Sequence, residues 1–475
     1  MDTLPKVFVY LWLDIEDYVT KEADDAALFF INILNKHNIP VTCKLVAEEV
    51  RALAERGRQD VISAVSKCDV GYHSDTHSQH PMVWEYLENL DVLSGAQEFT
   101  SREERGLELM RKVFNKTPSC FGHPGIMWAP HVYPALRTMN IPIYLDETAI
   151  LNLNDAPYWY CGVLNLNGGG KNLIYFDYSF EKPDGIISMK SKFNRIYQRL
   201  HKGNGGAISI CLHPHTAVNR TVWDVVNFAR GQNRTQQEYE RPPPQPTEVT
   251  QRAYRDFESF IEHISSFEDV QWITASTAFR IYKPVYWKDI EREKLKLIAK
   301  HFARSQEYMK FGEVYLSPAE AFYLVVNFLA QYTETGKLPS KIRLKEPLGP
   351  MAPARSKGRH TFRTTDFLTA TKVAAKFLNA KNTIPVSLDV GGYASLSPHD
   401  FLATACKILS LTTAGKAPAK VSLRKGRPPQ VKRLHFGKFK NDCKWVVLPP
   451  NFEAPKIFEQ ACLQAWTLKP AVPNV

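Results

Sequence analysis

The chain has 475 residues, 44% hydrophobic and 23% charged, with 26 Phe, 20 Tyr and 9 Trp; this composition excludes a disordered or fibrous protein, and the length exceeds what one hydrophobic core usually serves. The formal net charge of +11 is uneven, with 31 Lys plus Arg against 14 Asp plus Glu from Trp287 onward and 29 against 35 before it. A basic second half suits an anionic polymer, whether nucleic acid, acidic glycan or membrane surface, although no helix-turn-helix, zinc-finger or RNP-like motif directs it to nucleic acid.

The apolar run at 6–13 is too short for a membrane span and meets Asp14, Glu16 and Asp17 at once, so it reads as a first strand. No signal peptide or transmembrane segment is expected from it, and the chain reads as cytoplasmic, or extracytoplasmic if a leader was trimmed. Short β-branched runs then alternate with amphipathic stretches. Strands are expected at 7–13, 41–45, 69–72, 119–122, 143–145, 173–176, 207–212 and 270–274, with helices at 22–37, 47–56, 101–114, 131–139, 190–201 and 252–264. That alternation predicts an α/β fold, a distorted (β/α) barrel of seven or eight strands. The polar, proline-rich stretch 230–251 reads as an excursion from the barrel rim and a candidate lid.

The barrel is expected to fill residues 1–285, a helical connector 286–312, and a mainly helical, repeat-containing module with short strands 313–475. Three stretches, beginning at Leu316, Thr364 and Leu396, each offer a Ser or Thr cap, an apolar helix, a polar turn, proline and a short strand, with a partial copy at 452–466. The eight cysteines are spread singly, as small buried hydrophobes in a reducing compartment would be.

Asp14, His73, His123, Asp177 and His213 all come directly after expected strands, and in a parallel barrel those strand ends share one face. His73 and His77 are spaced i, i+4, which brings two imidazoles to one face if a helical turn starts there, as two ligands of one metal require. The acidic cluster Asp14, Glu16 and Asp17 offers one carboxylate to complete such a site and another to deprotonate water; on extended backbone Asp14 and Glu16 point to the same side. His213, at the end of an apolar strand, is preferred over His215 for protonating a leaving amine. No G-x-S-x-G elbow supports a serine nucleophile.

The ordered set of Asp14-Ile15-Glu16-Asp17, His73 to His77, Gly122-His123-Pro124-Gly125, Asp177-Tyr178-Ser179-Phe180 and Leu212-His213-Pro214-His215 resembles the motifs of the NodB-like polysaccharide deacetylases, carbohydrate esterase family 4, over residues of about 5–280. That resemblance implies a distorted barrel that hydrolyses N-acyl bonds of carbohydrates with zinc or another divalent transition metal. Carried over, Asp14 matches the general base, Glu16 the acidic metal ligand with Asp17 as its alternative, and His73 and His77 the metal-binding histidines. His213 matches the acid, Asp177 its orienting carboxylate, and Tyr178 and Trp128 the aromatic substrate wall. The family's arginine beside the base is replaced here by His123, which is expected to donate to Asp14. The C-terminal repeats resemble pseudomurein-binding repeats, which implies binding of glycan or wall polymer, an anionic cell-wall component suiting the excess positive charge of this half. The reaction expected is removal of an acyl group, acetyl above all, from an amino sugar or glycan. The alternatives are a catalytically silent glycan-binding protein on the same scaffold and a hydrolase of a small amide metabolite.

Overall fold

The computed structural model describes residues 7–146, 150–167, 170–180, 182–203, 205–283, 289–416, 418–429 and 445–473. Ten strands run through the first half: β1 (Val7–Ile15), β2 (Thr42–Leu45), β3 (Asp69–Tyr72), β4 (Cys120–Phe121), β5 (Ile143–Asp146), β6 (Tyr158–Tyr160), β7 (Val163–Asn167), β8 (Leu173–Tyr175), β9 (Gly206–Leu212) and β10 (Val270–Ile273). They join one curled, mixed sheet in the order β6-β7-β5-β4-β3-β2-β1-β9-β8, with β10 also on β1 and the strand Lys469–Pro470 antiparallel to β6, eleven strands in all. The eight expected strands are β1 to β5 and β8 to β10. The β6–β7 hairpin and the C-terminal strand were not foreseen. Among the described residues β8 and β6 do not pair with each other, so the sheet is an open half-barrel.

β1 is central because all nine of its residues are buried and all but Asp14, near its C-terminal end, are apolar or aromatic. Its C-terminal half pairs in parallel with β2, its N-terminal half with β10, and its other edge with β9. Side chains alternate across a strand, and here the alternation divides two cores. Val7, Val9, Leu11 and Leu13 pack under the helices, while Phe8, Tyr10 and Trp12 face the barrel interior with Cys120, Leu145, Ala207 and Cys211.

The expected helices form, as Lys21–Lys36, Ala47–Glu55, Val92–Phe114, Val132–Met139, Gly185–His201 and Thr247–Ser265. Val92–Phe114 starts nine residues before its expected position because the Asp91 carboxylate caps it, accepting from the backbone N–H groups of Leu93 and Ser94. The stretch read as a lid is anchored: Tyr239 packs on Tyr18, ring centroids 5.8 Å apart, and Asn219 bridges Pro244.

Beyond residue 288 the strand pairings group the helices differently from a linear three-copy array. Asp289–Glu291 leads into Arg292–Phe302, a hairpin of Met309–Phe311 and Val314–Leu316, then Pro318–Thr335 and Lys341–Arg343, which pairs back with Asp289–Glu291. Thr361–Arg363, Thr364–Lys381, the hairpin Leu388–Val390 with Ala394–Leu396, Pro398–Thr413 and Lys420–Ser422 repeat that path, the outer strands again pairing antiparallel. The unit is therefore a helix–hairpin–helix occurring twice, and the first helix of the first copy, Arg292–Phe302, lies in the stretch expected to be a connector. The second helix of each unit carries the same start signal: Ser317 with Pro318 and Glu320, and Ser397 with Pro398 and Asp400.

The stretch read as a partial copy joins the first core instead. In Pro455–Gln464, Ile457, Phe458 and Ala461 pack with the barrel helices, and Phe458 meets Trp84 edge-on at 5.7 Å. Trp466 turns the other way, to Phe322 of the second core. None of the seven described cysteines is disulfide-bonded, and six are buried. No described helix is long and apolar enough to cross a membrane.

Candidate metal centre and active site

Interior-facing positions of neighbouring strands converge at the C-terminal end of the sheet. The even-numbered row Phe8, Tyr10, Trp12 ends in Asp14, with Glu16 just beyond β1; Lys44 lies beside them on β2 and His73 comes just after β3. His213 stands just after β9, and Asp177 shortly after β8.

Oε2 of Glu16 lies 3.1 Å from Nε2 of His73 and 3.1 Å from Nε2 of His77, all three side chains being buried. The other ring nitrogens are engaged behind them. Nδ1 of His73 is 2.9 Å from the Gly122 carbonyl, and Nδ1 of His77 is 2.7 Å from Ser78 Oγ, which donates to Asp224 at 3.0 Å. Those bonds keep both Nε2 atoms available toward Glu16, the outer support that metal-binding histidines use. Burial would raise the Glu16 carboxyl, but His77 and His73 hold it well below the ordinary value, so it is anionic. Two imidazoles and a carboxylate converging on one point fit a divalent transition metal such as zinc. His215 adds a buried imidazole with Nδ1 3.9 Å from Glu16 Oε1, and neither ring nitrogen has a hydrogen-bond partner among the described residues.

The two histidines meet by a route other than the helical turn expected. Ser74 and His77 both have positive φ, 73° and 59°, and this irregular loop folds His77 back over Glu16. A non-glycine residue held in that region is strained, as residues at functional sites often are. Asp17, the alternative ligand, is turned away: its carboxylate accepts from the backbone N–H groups of Val19 and Thr20 and from Asn219, tying the turn before Lys21–Lys36.

Asp14 sits beside this group with Nζ of Lys44 3.0 Å from its Oδ1 and Trp12 Nε1 donating to Oδ2 at 3.3 Å. Burial would raise its carboxyl, and Lys44 and His73 more than offset that, leaving it below the ordinary value. This corrects the expectation for His123. Its Nδ1 lies 3.0 Å from the Tyr144 hydroxyl, and burial with Lys44 nearby drives its imidazole well below the ordinary histidine value, so it is neutral. The positive charge at Asp14 is an ammonium supplied from β2. Gly122 makes room for it, since an added Cβ there would strike the Lys44 ammonium and lie 2.9 Å from the Leu145 carbonyl. A lysine inside the buried run Thr42–Leu45 was the available signal for this role, and sequence reasoning missed it.

His213 faces Asp14 from the opposite side, with Nε2 3.6 Å from Asp14 Oδ2. Its Nδ1 lies 2.7 Å from Asp177 Oδ2, and its backbone N–H donates to Asp177 Oδ1 at 2.8 Å. Burial would lower this imidazole, but Cys211 and Asp177 raise it well above the ordinary value, as a proton donor needs.

The expected aromatic wall is different. Trp128 is fully buried, donates through Nε1 to the Tyr133 hydroxyl at 2.8 Å and packs against Tyr160, so its ring belongs to the core. The side chain of Tyr178 lies outside the described residues.

No protein-family model matches the chain, and no curated protein does. Among solved structures it is similar to Puue allantoinase, with 12% identity over 58% of this chain and 90% of that one and a TM-score of 0.39. It is similar to the Xyl-CE4 domain of a multidomain xylanase from the hindgut metagenome of Trinervitermes trinervoides, with 13% identity, 58% and 90% coverage and a TM-score of 0.32. It is also similar to a mutant of the peptidoglycan deacetylase PdaC from Bacillus subtilis, with 12% identity, 58% and 91% coverage and a TM-score of 0.29.

Proposed function

We propose that the chain is a divalent-metal-dependent hydrolase that removes an N-acyl group, acetyl above all, from an amino sugar or glycan. The observation that carries this reading is the Glu16, His73 and His77 group standing beside two further groups of opposite task, Asp14 and the His213–Asp177 pair.

Glu16, His73 and His77 would hold the metal, with zinc the first choice for this donor set. A bound divalent ion supplies polarisation of an acyl oxygen and acidification of water. Asp14, kept anionic by Lys44, accepts a proton from that water. His213, protonated and oriented by Asp177, delivers a proton from Nε2 to the departing amine nitrogen. One carboxylate and one imidazolium, 3.6 Å apart beside the candidate metal ligands, give the base and acid that amide hydrolysis needs, with no organic cofactor. The glycan assignment is supported by the motif resemblance.

The test is acetate release from an N-acetylchitooligosaccharide by zinc-loaded protein, alongside metal analysis. Wild type is expected to hold one zinc per chain and release acetate, and H73A and H77A to lose both. Metal retention and undiminished hydrolysis in those variants would refute the reading; hydrolysis of only small N-acyl amides would keep the chemistry and change the substrate class.

A further inference from the structure

The far end of the chain reaches this site. The indole of Trp445 lies edge-on to His77, ring centroids 6.1 Å apart and planes at 86°. It also crosses Gly125, where an added Cβ would meet it at 2.6 Å. Gly125 has a φ of 49°, so both the backbone turn and the close approach of the indole call for glycine.

The three residues after Trp445 are tied down. The carbonyls of Val446 and Val447 accept from the backbone N–H groups of Arg230 and Gly231 at 2.8 and 3.0 Å. Val447 and Leu448 are buried in the first core. Trp445 itself is only partly buried, unlike Trp128. A large aromatic surface is therefore held on a fixed backbone beside a candidate metal ligand, by a segment more than 300 residues away in sequence.

We propose that Trp445 is the aromatic platform of the substrate site: the apolar face of an N-acyl amino-sugar ring stacks on its indole while the acyl group points toward Glu16, His73 and His77. The proposal rests on the hydrolase reading and adds that glycan selectivity is set by the C-terminal segment, outside the motifs of the barrel. An indole suits this role because it is rigid, broad and apolar with a single polar N–H, so a sugar's C–H face gains contact area at little entropic cost.

The experiment uses the full chain loaded with zinc, in wild-type, W445F and W445A forms. Binding of N-acetylchitotetraose is measured by calorimetry, zinc affinity by chelator competition, and acetate release by wild type in parallel. W445A is expected to bind the oligosaccharide roughly ten-fold or more weaker, with W445F intermediate and zinc affinity held in both. Undiminished oligosaccharide binding by W445A overturns the proposal, and so does equal loss of zinc in both variants, which would make the indole a structural support for His77. Wild type that binds the oligosaccharide through Trp445 without releasing acetate sustains the platform and refutes the hydrolase reading. Wild type that binds no oligosaccharide overturns the platform even if it hydrolyses smaller amides.

Discussion

The ammonium of Lys44 stands 3.0 Å from the carboxylate of Asp14, and each side chain is 1% exposed. Neither charge is tolerable there without the other, because removing one partner of a buried pair strands its mate. K44M is expected to destabilise the fold by about 3–5 kcal/mol in denaturant unfolding and to cut turnover about 100-fold or more by letting Asp14 protonate. G122A tests the same pair without removing a functional group, since its methyl would occupy the space of the ammonium. Wild-type turnover in G122A would show that the ammonium is not needed at that place.

Ser78 links His77 to Asp224 behind the candidate metal ligands. S78A removes the acceptor that fixes the His77 ring and is expected to weaken zinc binding about 10- to 100-fold. Chelator competition reads this directly, and thermal melts with added zinc give a second measure. An unchanged affinity would mean that packing alone orients the ring.

Asp177 raises the His213 imidazole through a 2.7 Å contact. D177N is expected to lower it, reduce turnover by about 10²-fold or more, and leave zinc content unchanged. The loss should be greater for a substrate with a basic leaving amine than for an activated aryl ester, whose leaving group needs no proton. Equal losses on both would point to a positioning role only.

Glu103 is buried, accepts from the Tyr72 hydroxyl at 2.5 Å and from the Asp75 backbone N–H at 2.7 Å, and burial pushes its carboxyl up from 4.5 to about 7. The folded state binds this proton more tightly than the unfolded state, so its contribution to stability is present in full below pH 4.5 and is lost as pH rises through 7. E103Q should shrink the fall in unfolding free energy between about pH 5 and pH 8 by an amount on the order of 2–3 kcal/mol. A pH profile parallel to that of wild type would show that Glu103 stays ionised when folded.

Phe458 packs on Trp84 across the two ends of the chain and is 4% exposed. F458A is expected to cost about 3–5 kcal/mol and to lower the melting temperature of the unit carrying the candidate metal centre, identified by which transition moves when zinc is added. If only a transition insensitive to zinc moves, the C-terminal helix stabilises the second core alone.

The sequence by itself determined the eight parallel strands, six of the helices between them and the position of Asp14, His73, His123, Asp177 and His213 near strand ends, because all of these are products of local periodicity and strand alternation. It also marked the second helix of each C-terminal unit through the caps at Ser317 and Ser397. The partner a side chain meets across the sheet is a matter of register between strands distant in sequence, and only the tertiary structure decided it. Register brought Lys44 rather than His123 to Asp14, pairing of outer strands grouped the helices in twos, and the return of the C-terminal segment set Trp445 beside His77. Periodicity reports which face of an element is buried, but it is blind to which distant segment covers that face.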